Sequence, residues 1–279
     1  MFDCLPKAKG GTPGTVFLLP YSVAVFPDVP YFAFTKQNHM ALQPWRKGIV
    51  TRIEQHTHNT RRFWIQVPEL DRFDFQPGQF VTLDLPIHEK PNKRWRSYSI
   101  SSWPDGSNTF ELIIVRAQEG AGTRFLFEEV AEGTELTLRG AQGVFTLPAS
   151  IDKDLYLICT GTGIAPFRSM AQHIRLQGIA HHNIYLIFGC RHREDLLYFE
   201  ELKQLEQELP GFRFLPVLSR EHAEGLHHGY VHKVYESLCQ DKHPANFFLC
   251  GWKHMIDEAK KHILHLGYDK ADIHLELYG

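Results

Sequence analysis

Cysteine is scarce in this 279-residue chain: Cys4, Cys159, Cys190, Cys239 and Cys250 are odd in number, widely spaced and without a Cys-x-x-Cys pair. That pattern leaves no set of four thiols at ferredoxin-type spacing for an iron–sulfur cluster, and it fits reduced thiols in the cytoplasm. An excess of positive charge is missing too. With 30 Lys and Arg against 32 Asp and Glu, the formal net charge of -2 argues against an electrostatic grip on nucleic acid or an anionic membrane. Long apolar runs are also absent. The most hydrophobic stretch, Val16 to Phe34, is broken by Pro20, Pro27 and Pro30, so no uninterrupted segment is long enough to span a bilayer. No small-residue cleavage site follows a basic start. The 17 histidines form no metal motif. His56 and His58 could share a strand face, and His262 and His265 a helix face, but neither pair brings a third ligand.

What is present divides by pattern. At 43% hydrophobic and 22% charged residues the composition is that of an ordinary globular protein, and the length exceeds one hydrophobic core, so two domains are expected. Residues 1–45 match neither domain and are expected to be a weakly ordered extension; Met40, just ahead of the first domain, raises the alternative of a misplaced start. Residues 46–150 form short runs rich in β-branched and aromatic residues, among them Gly48 to Ile53, Thr60 to Val67, Gln79 to Leu85, Arg96 to Ser101, Thr109 to Val115 and Glu135 to Arg139. Turns at Pro77-Gly78, Asp105-Gly106 and Glu132-Gly133 separate several of them, and a small closed antiparallel β-barrel is expected.

From residue 151 to 279 the period changes to strand, glycine turn, helix. Leu155 to Cys159, Asn183 to Phe188, Phe212 to Leu218 and Asn246 to Cys250 read as strands buried on both faces. Helices are expected at Phe167 to Gln177, Tyr198 to Glu208, Val231 to Leu238 and His254 to Leu266. This alternation predicts an α/β domain with a parallel sheet, whose ligands bind at the carboxyl ends of the strands.

Four places carry candidate chemistry. Arg96-Ser97-Tyr98-Ser99 ends a barrel strand, and its guanidinium, ring and hydroxyl suit a flat, phosphorylated ligand, though alone it is equally a strand that stops in a turn. Gly120-Ala121-Gly122-Thr123 opens a helix, either as a pyrophosphate site or as an ordinary start capped by Thr123. Thr160-Gly161-Thr162-Gly163, followed by Ile164-Ala165-Pro166, joins a strand to a helix where a diphosphate could approach bare backbone. Cys250-Gly251-Trp252 repeats the strand, glycine, helix pattern, and its small thiol leaves room for a flat ring.

Taken in order, these signals resemble the ferredoxin-NADP reductase family across about residues 45 to 279. The resemblance also includes Gly140-Ala-Gln-Gly143-Val-Phe145 between the domains and the closing strand His274-Leu-Glu276-Leu-Tyr278. It implies an FAD-binding barrel over 46–150 and an NAD(P)-binding domain over 151–279. Arg96 would hold the FAD phosphate, Tyr98 would stack on the isoalloxazine, and Ser99 would bond near its N5. Gly120, Gly122 and Thr123 would hold the pyrophosphate. Thr160, Gly161, Thr162, Gly163 and Gly251 would cradle the pyridine nucleotide, with Cys250 and Glu276 bordering the nicotinamide and Tyr278 covering the flavin face.

The donor depends on Ser219-Arg220, beyond the strand ending at Leu218. A hydroxyl and a guanidinium there could grip a 2′-phosphate, with Tyr230 against the adenine, so NADPH is the expected donor and NADH the alternative. His227, His228 and His232 depart from the basic residues and glutamine that the resemblance leads one to expect nearby. The acceptor must be another molecule: a ferredoxin, a flavodoxin or an oxygenase component, with Lys90, Lys93 and Arg94 as a basic docking turn. A monomer is expected. The competing readings are an NADH-dependent reductase of an oxygenase system and a non-catalytic nucleotide sensor.

Overall fold

The computed structural model describes residues 43–278; the expected extension lies outside the described residues up to position 42. Most of the barrel strands form where apolar and polar side chains alternate, so that one face enters a common core. The Thr109–Val115 strand is instead buried on both faces, with Ile113 turned into the second domain's core. The strands are β1 (Arg46–Thr57), β2 (Thr60–Gln66), β3 (Phe80–Asp84), β4 (Trp95–Ser99), β5 (Thr109–Val115) and, after helix α1 (Ala121–Glu128), β6 (Glu135–Gln142). They lie in the order β4-β3-β6-β1-β2-β5, and every paired neighbour is antiparallel. An antiparallel bridge from Ile100 to Leu112 joins the two edges and closes the barrel, as the strand pattern predicts. Val50, Phe63, Ile65, Val81, Leu83, Phe110 and Leu138 fill it.

Two local expectations are corrected. β1 runs well past Ile53, because register shifts at Val50/Arg52 and Gln55/Thr57 let one strand bend while pairing with both β6 and β2. Helix α1 begins at Ala121, with Gly120 and not Thr123 in the N-cap position. The Thr123 hydroxyl instead donates to Gly120 O and accepts the Ala117 N–H, bracing the turn from inside the helix.

The second domain contains β7 (Asp154–Thr160), a 3-10 turn (Gly161–Ile164), α2 (Ala165–Gln177), β8 (Ile184–Cys190), α3 (Phe199–Glu208) and β9 (Phe212–Leu218). It continues with β10 (His227–His228), α4 (Val231–Leu238), β11 (Ala245–Trp252), α5 (Lys253–His265) and β12 (Ile273–Tyr278). All pairings are parallel, in the order β10-β9-β8-β7-β11-β12. Apolar clusters cover both faces, which is why these strands read as continuous hydrophobic runs. Strand order reverses at β7, opening a crevice at the carboxyl ends of β7 and β11.

Phe145, beyond β6, carries the barrel into the second domain. Its ring lies 5.4 Å from Phe248 and 5.8 Å from Phe167, so the Gly143-Val-Phe145 segment fastens the two domains through an aromatic seam. Among the described residues, no helix is long and apolar enough to cross a membrane.

Candidate active site at the domain junction

β4 delivers the first half of the site. Arg96 and Tyr98 project from one face of this strand, and Ser97 and Ser99 from the other. An added Cβ at Gly122 would stand 3.0 Å from Arg96 Cγ and 3.2 Å from its Nε, so the missing side chain lets this arginine lie against the first turn of α1. Arg96 Nη1 also donates to the carbonyls of Lys93 and Trp95, which fixes the guanidinium beside that helix end. There the first N–H groups have no intrahelical partner, and the dipole favours an anion. Tyr98 packs its ring on the barrel core, and burial pushes its hydroxyl up to about 12. Ser97 spends its hydroxyl on Thr82 Oγ1, 3.0 Å away.

β11 and β12 deliver the second half. Their parallel register sets Cys250 beside Glu276 and Trp252 beside Tyr278. Both reach Ser99 across the domain junction: Ser99 Oγ donates to Glu276 Oε2 at 2.7 Å, and the Tyr278 hydroxyl donates to Ser99 Oγ at 2.6 Å. Cys250 Sγ stands 4.0 Å from the same carboxylate oxygen. Ser99, Cys250, Glu276 and Tyr278 are thus one cluster. Burial raises the Glu276 carboxyl, against the opposing pull of the Ser99 hydrogen bond. Burial, reinforced by the neighbouring carboxylate, holds the Cys250 thiol well above its ordinary value.

Beside the cluster, two glycine turns interlock. A Cβ on Gly163 would lie 2.5 Å from Cys250 O, and one on Gly251 would lie 2.5 Å from Thr160 Oγ1. Only glycine lets these strand ends meet backbone to backbone. Thr160 Oγ1 also receives the Trp252 N–H, and the Thr162 carbonyl takes the N–H of Ala165 as α2 begins. Gly161, by contrast, has φ +54° and open space where its Cβ would be. That is a bare-backbone cradle at the crevice, the form a diphosphate needs.

Farther along the sheet edge, Ser219 and Arg220 follow β9. Gly229 N–H bonds Leu218 O, which brings Tyr230 back beside them, 70% exposed at the N-cap of α4. Arg220 is exposed, while Ser219 Oγ donates to Cys190 O. His227 and His228 form the short edge strand β10. His232 turns away from this edge: its ring meets Tyr235 OH and Glu258 on α5. Of the expected basic turn, Lys90 and Lys93 are exposed, but Arg94 is bound to Asp84.

Residues 47–147 match the oxidoreductase FAD-binding domain family, and residues 157–261 match the oxidoreductase NAD-binding domain family. The ferredoxin–NADP reductase B of Sorangium cellulosum is 33% identical over 214 residues, a match covering 74% of this chain and 86% of that protein. The chain belongs to the ferredoxin–NADP reductase family. The glycine betaine monooxygenase reductase subunit of Pseudomonas aeruginosa is 29% identical, covering 87% of this chain and 68% of that one. A ferredoxin NADP+ reductase from Neisseria gonorrhoeae, solved with bound FAD and NADP, superposes with a TM-score of 0.70 at 26% identity, covering 84% and 98% of the two chains. The chain is a flavoprotein oxidoreductase of the FAD- and NAD(P)-binding kind. Its residues fit both groups: Arg96 against the α1 N-terminus suits a pyrophosphate, and the open face of Gly161 suits a second one.

Sequence reasoning missed a set of charged residues behind Ser99. Glu111 of β5, 2% exposed, accepts two hydrogen bonds from Arg62 at 2.8 and 3.0 Å, one from Arg168 Nη1 at 3.1 Å and one from Tyr198 OH at 2.6 Å. Burial alone would raise this carboxyl, but Arg62 and Arg168 hold it below its ordinary value. A carboxylate inside the otherwise apolar Thr109 to Val115 run was the available signal. The histidine expectations are also revised: His58 lies in the turn after β1, and His56 accepts the Tyr198 N–H at 2.9 Å. Among the described residues, no group of three or more His, Cys, Asp or Glu is arranged to hold a metal ion.

Proposed function

We propose that this chain takes a hydride from NADPH and passes electrons to a separate one-electron carrier, such as a ferredoxin or a flavodoxin, working as a monomer in the cytoplasm. The observation that carries the reading is the Ser99–Glu276 hydrogen bond, which joins the FAD-binding and NAD(P)-binding domains at the junction of their expected ligand sites. Bound flavin supplies the exchange between two-electron and one-electron chemistry. The residues supply placement, holding reacting atoms about 3 to 3.5 Å apart in a cleft without water.

In this reading Arg96 and the amides of Gly120, Gly122 and Thr123 hold the FAD pyrophosphate, and the Tyr98 ring stacks on the flavin. Ser99 presents its hydroxyl at the reacting edge, with Glu276 fixing the direction of its proton. Thr160 to Gly163 and Gly251 cradle the nucleotide, Cys250 borders the nicotinamide, and Tyr278 covers the face that the nicotinamide takes. Ser219 and Arg220 grip the 2′-phosphate, and Tyr230 stacks on the adenine.

A second reading, an NADH-dependent reductase for an oxygenase, is supported by the likeness to the glycine betaine monooxygenase reductase subunit. Anaerobic titration separates the readings. The flavin absorbance should bleach at much lower NADPH than NADH concentration; the reverse order favours the oxygenase reading. Protein that takes up no FAD and never bleaches overturns both and leaves a nucleotide sensor.

A further inference from the structure

Arg168 stands on α2, one turn past the glycine turn that opens it, and is 3% exposed. Every nitrogen of its guanidinium is engaged. Nη1 donates to Ser101 O at 2.8 Å and to Glu111 Oε2 at 3.1 Å, while Nε and Nη2 pair with the Glu201 carboxylate at 2.8 and 2.9 Å. Its flat face lies 4.2 Å from the Tyr198 ring centre and 5.1 Å from that of Trp103. Glu111 grips the same stretch of chain from the barrel side. Ser101 N and Ser101 Oγ both donate to Glu111 O, and Glu111 N donates to Ser102 Oγ.

Ser101 is two residues past Ser99, and Arg168 is only a few residues past the Gly161 to Ile164 turn. We propose that Glu111 and Arg168 are positioning residues, which set the separation between the Ser99 end of the flavin strand and the nucleotide turn, and thereby the hydride-transfer distance. The inference rests on the function proposed above. A buried ion pair adds little net stability over apolar residues of the same volume, because its desolvation offsets its attraction. What it does supply is geometry. Two guanidiniums with fixed donor forks, Arg62 and Arg168, meet one carboxylate from two domains, and such forks tolerate little sliding. The aromatic seam at Phe145 is non-directional and cannot set register in this way.

The test compares Glu111→Gln, Arg168→Met and Arg168→Lys with the parent chain, each as FAD-loaded protein. In single-turnover reduction by NADPH, the first two should transfer hydride at least 10-fold more slowly, with the apparent NADPH affinity changed less than 3-fold. Arg168→Lys, which keeps the charge and a donor for Ser101, should recover part of the rate. Without turnover, the long-wavelength charge-transfer absorbance formed on adding NADP+ to the reduced protein should weaken in step with the rate. Should Glu111→Gln fail to fold, Tyr198→Phe removes only the hydroxyl from the same carboxylate and should give a smaller change of the same kind.

Variants that melt earlier but keep the parental transfer rate and charge-transfer band would overturn the proposal, leaving the network a structural brace. Weaker NADPH binding at an unchanged transfer rate would also overturn it. A parent chain that neither NADPH nor NADH bleaches indicts the reductase reading instead; if NADH alone bleaches it, the same single-turnover test is run with NADH. The positioning claim is then judged by amide hydrogen exchange: Glu111→Gln must speed exchange at Ser99 to Ser102 and Gly161 to Ile164 while β1 and β2 stay protected, and unchanged exchange there overturns it.

Discussion

Ser99 and Glu276 stand 177 positions apart in the chain, yet the hydroxyl of one donates to the carboxylate of the other at 2.7 Å. The contact exists only when barrel and parallel sheet are docked. Ser99→Ala and Glu276→Gln should each slow flavin reduction roughly 10²-fold while FAD content stays at parental level, since small misplacements of reacting groups have effects of that size. Stopped-flow reduction at saturating NADPH, alongside the flavin-to-protein absorbance ratio, checks this.

Glu276 also gives a stability signature. Burial raises its pKa in the folded protein, so the folded state binds the proton more tightly than the unfolded chain. The stability this gives is full below the ordinary carboxyl value and is lost as pH rises from there through the raised one. Glu276→Gln should therefore melt at a higher temperature than the parent near neutral pH. The gap should close as the pH falls toward the ordinary carboxyl range. Thermal melts across that range decide it.

Arg220 is exposed beside Ser219, where the 2′-phosphate is expected. Arg220→Ala removes charge-assisted hydrogen bonds worth about 1.5–3 kcal/mol, or roughly 10- to 150-fold in NADPH affinity. NADH should be almost unaffected. Equal losses for both nucleotides, measured as KM, would refute the specificity argument.

His56 ties pH to the domain junction. Burial and then Arg62 depress its pKa, so the ring is neutral in the fold and its Nε2 accepts the Tyr198 N–H. A depressed histidine contributes stability that is complete above its unfolded value of about 6.5 and is lost as pH falls through the lower folded value. Melting temperature should decline below that pH more steeply in the parent than in His56→Gln. Parallel curves would remove His56 from the account.

Gly163 and Gly161 should behave differently although they share one turn. A methyl on Gly163 would collide with the Cys250 backbone, so Gly163→Ala should push the two strand ends apart and lower both melting temperature and nucleotide binding. Gly161→Ala meets open space and carries only the left-handed backbone cost, about 1–2 kcal/mol. Its methyl would nonetheless project into the proposed diphosphate cradle. A fold near parental stability with a clearly raised KM for NADPH is expected.

Where structure follows local pattern, it was legible. β5, β9 and α4 have the bounds that periodicity gives, Thr109 to Val115, Phe212 to Leu218 and Val231 to Leu238. That Ser99, Cys250, Glu276 and Tyr278 lie near one another was implied by the family resemblance alone, since residues this far apart in sequence have no local pattern that joins them. Tertiary partners were not legible. Nothing in the neighbours of Arg168 states that its charge is buried against Glu111 from another domain, and nothing near His232 shows that it meets Glu258. The start of α1 was misplaced because a threonine can cap a helix or brace its first turn, and the two differ only in backbone angles.

Cys250, fully buried 4.0 Å from the Glu276 carboxylate, bears on how the protein endures its own chemistry. Oxidants and alkylating agents attack thiolates, and every influence on this sulfur except the Tyr278 hydrogen bond disfavours that form. Burial thus keeps the most polarisable atom of the cluster in its thiol form, much the less reactive of its two forms toward peroxide, so the sulfur can border the carboxylate as a soft, quiet wall rather than as a nucleophile.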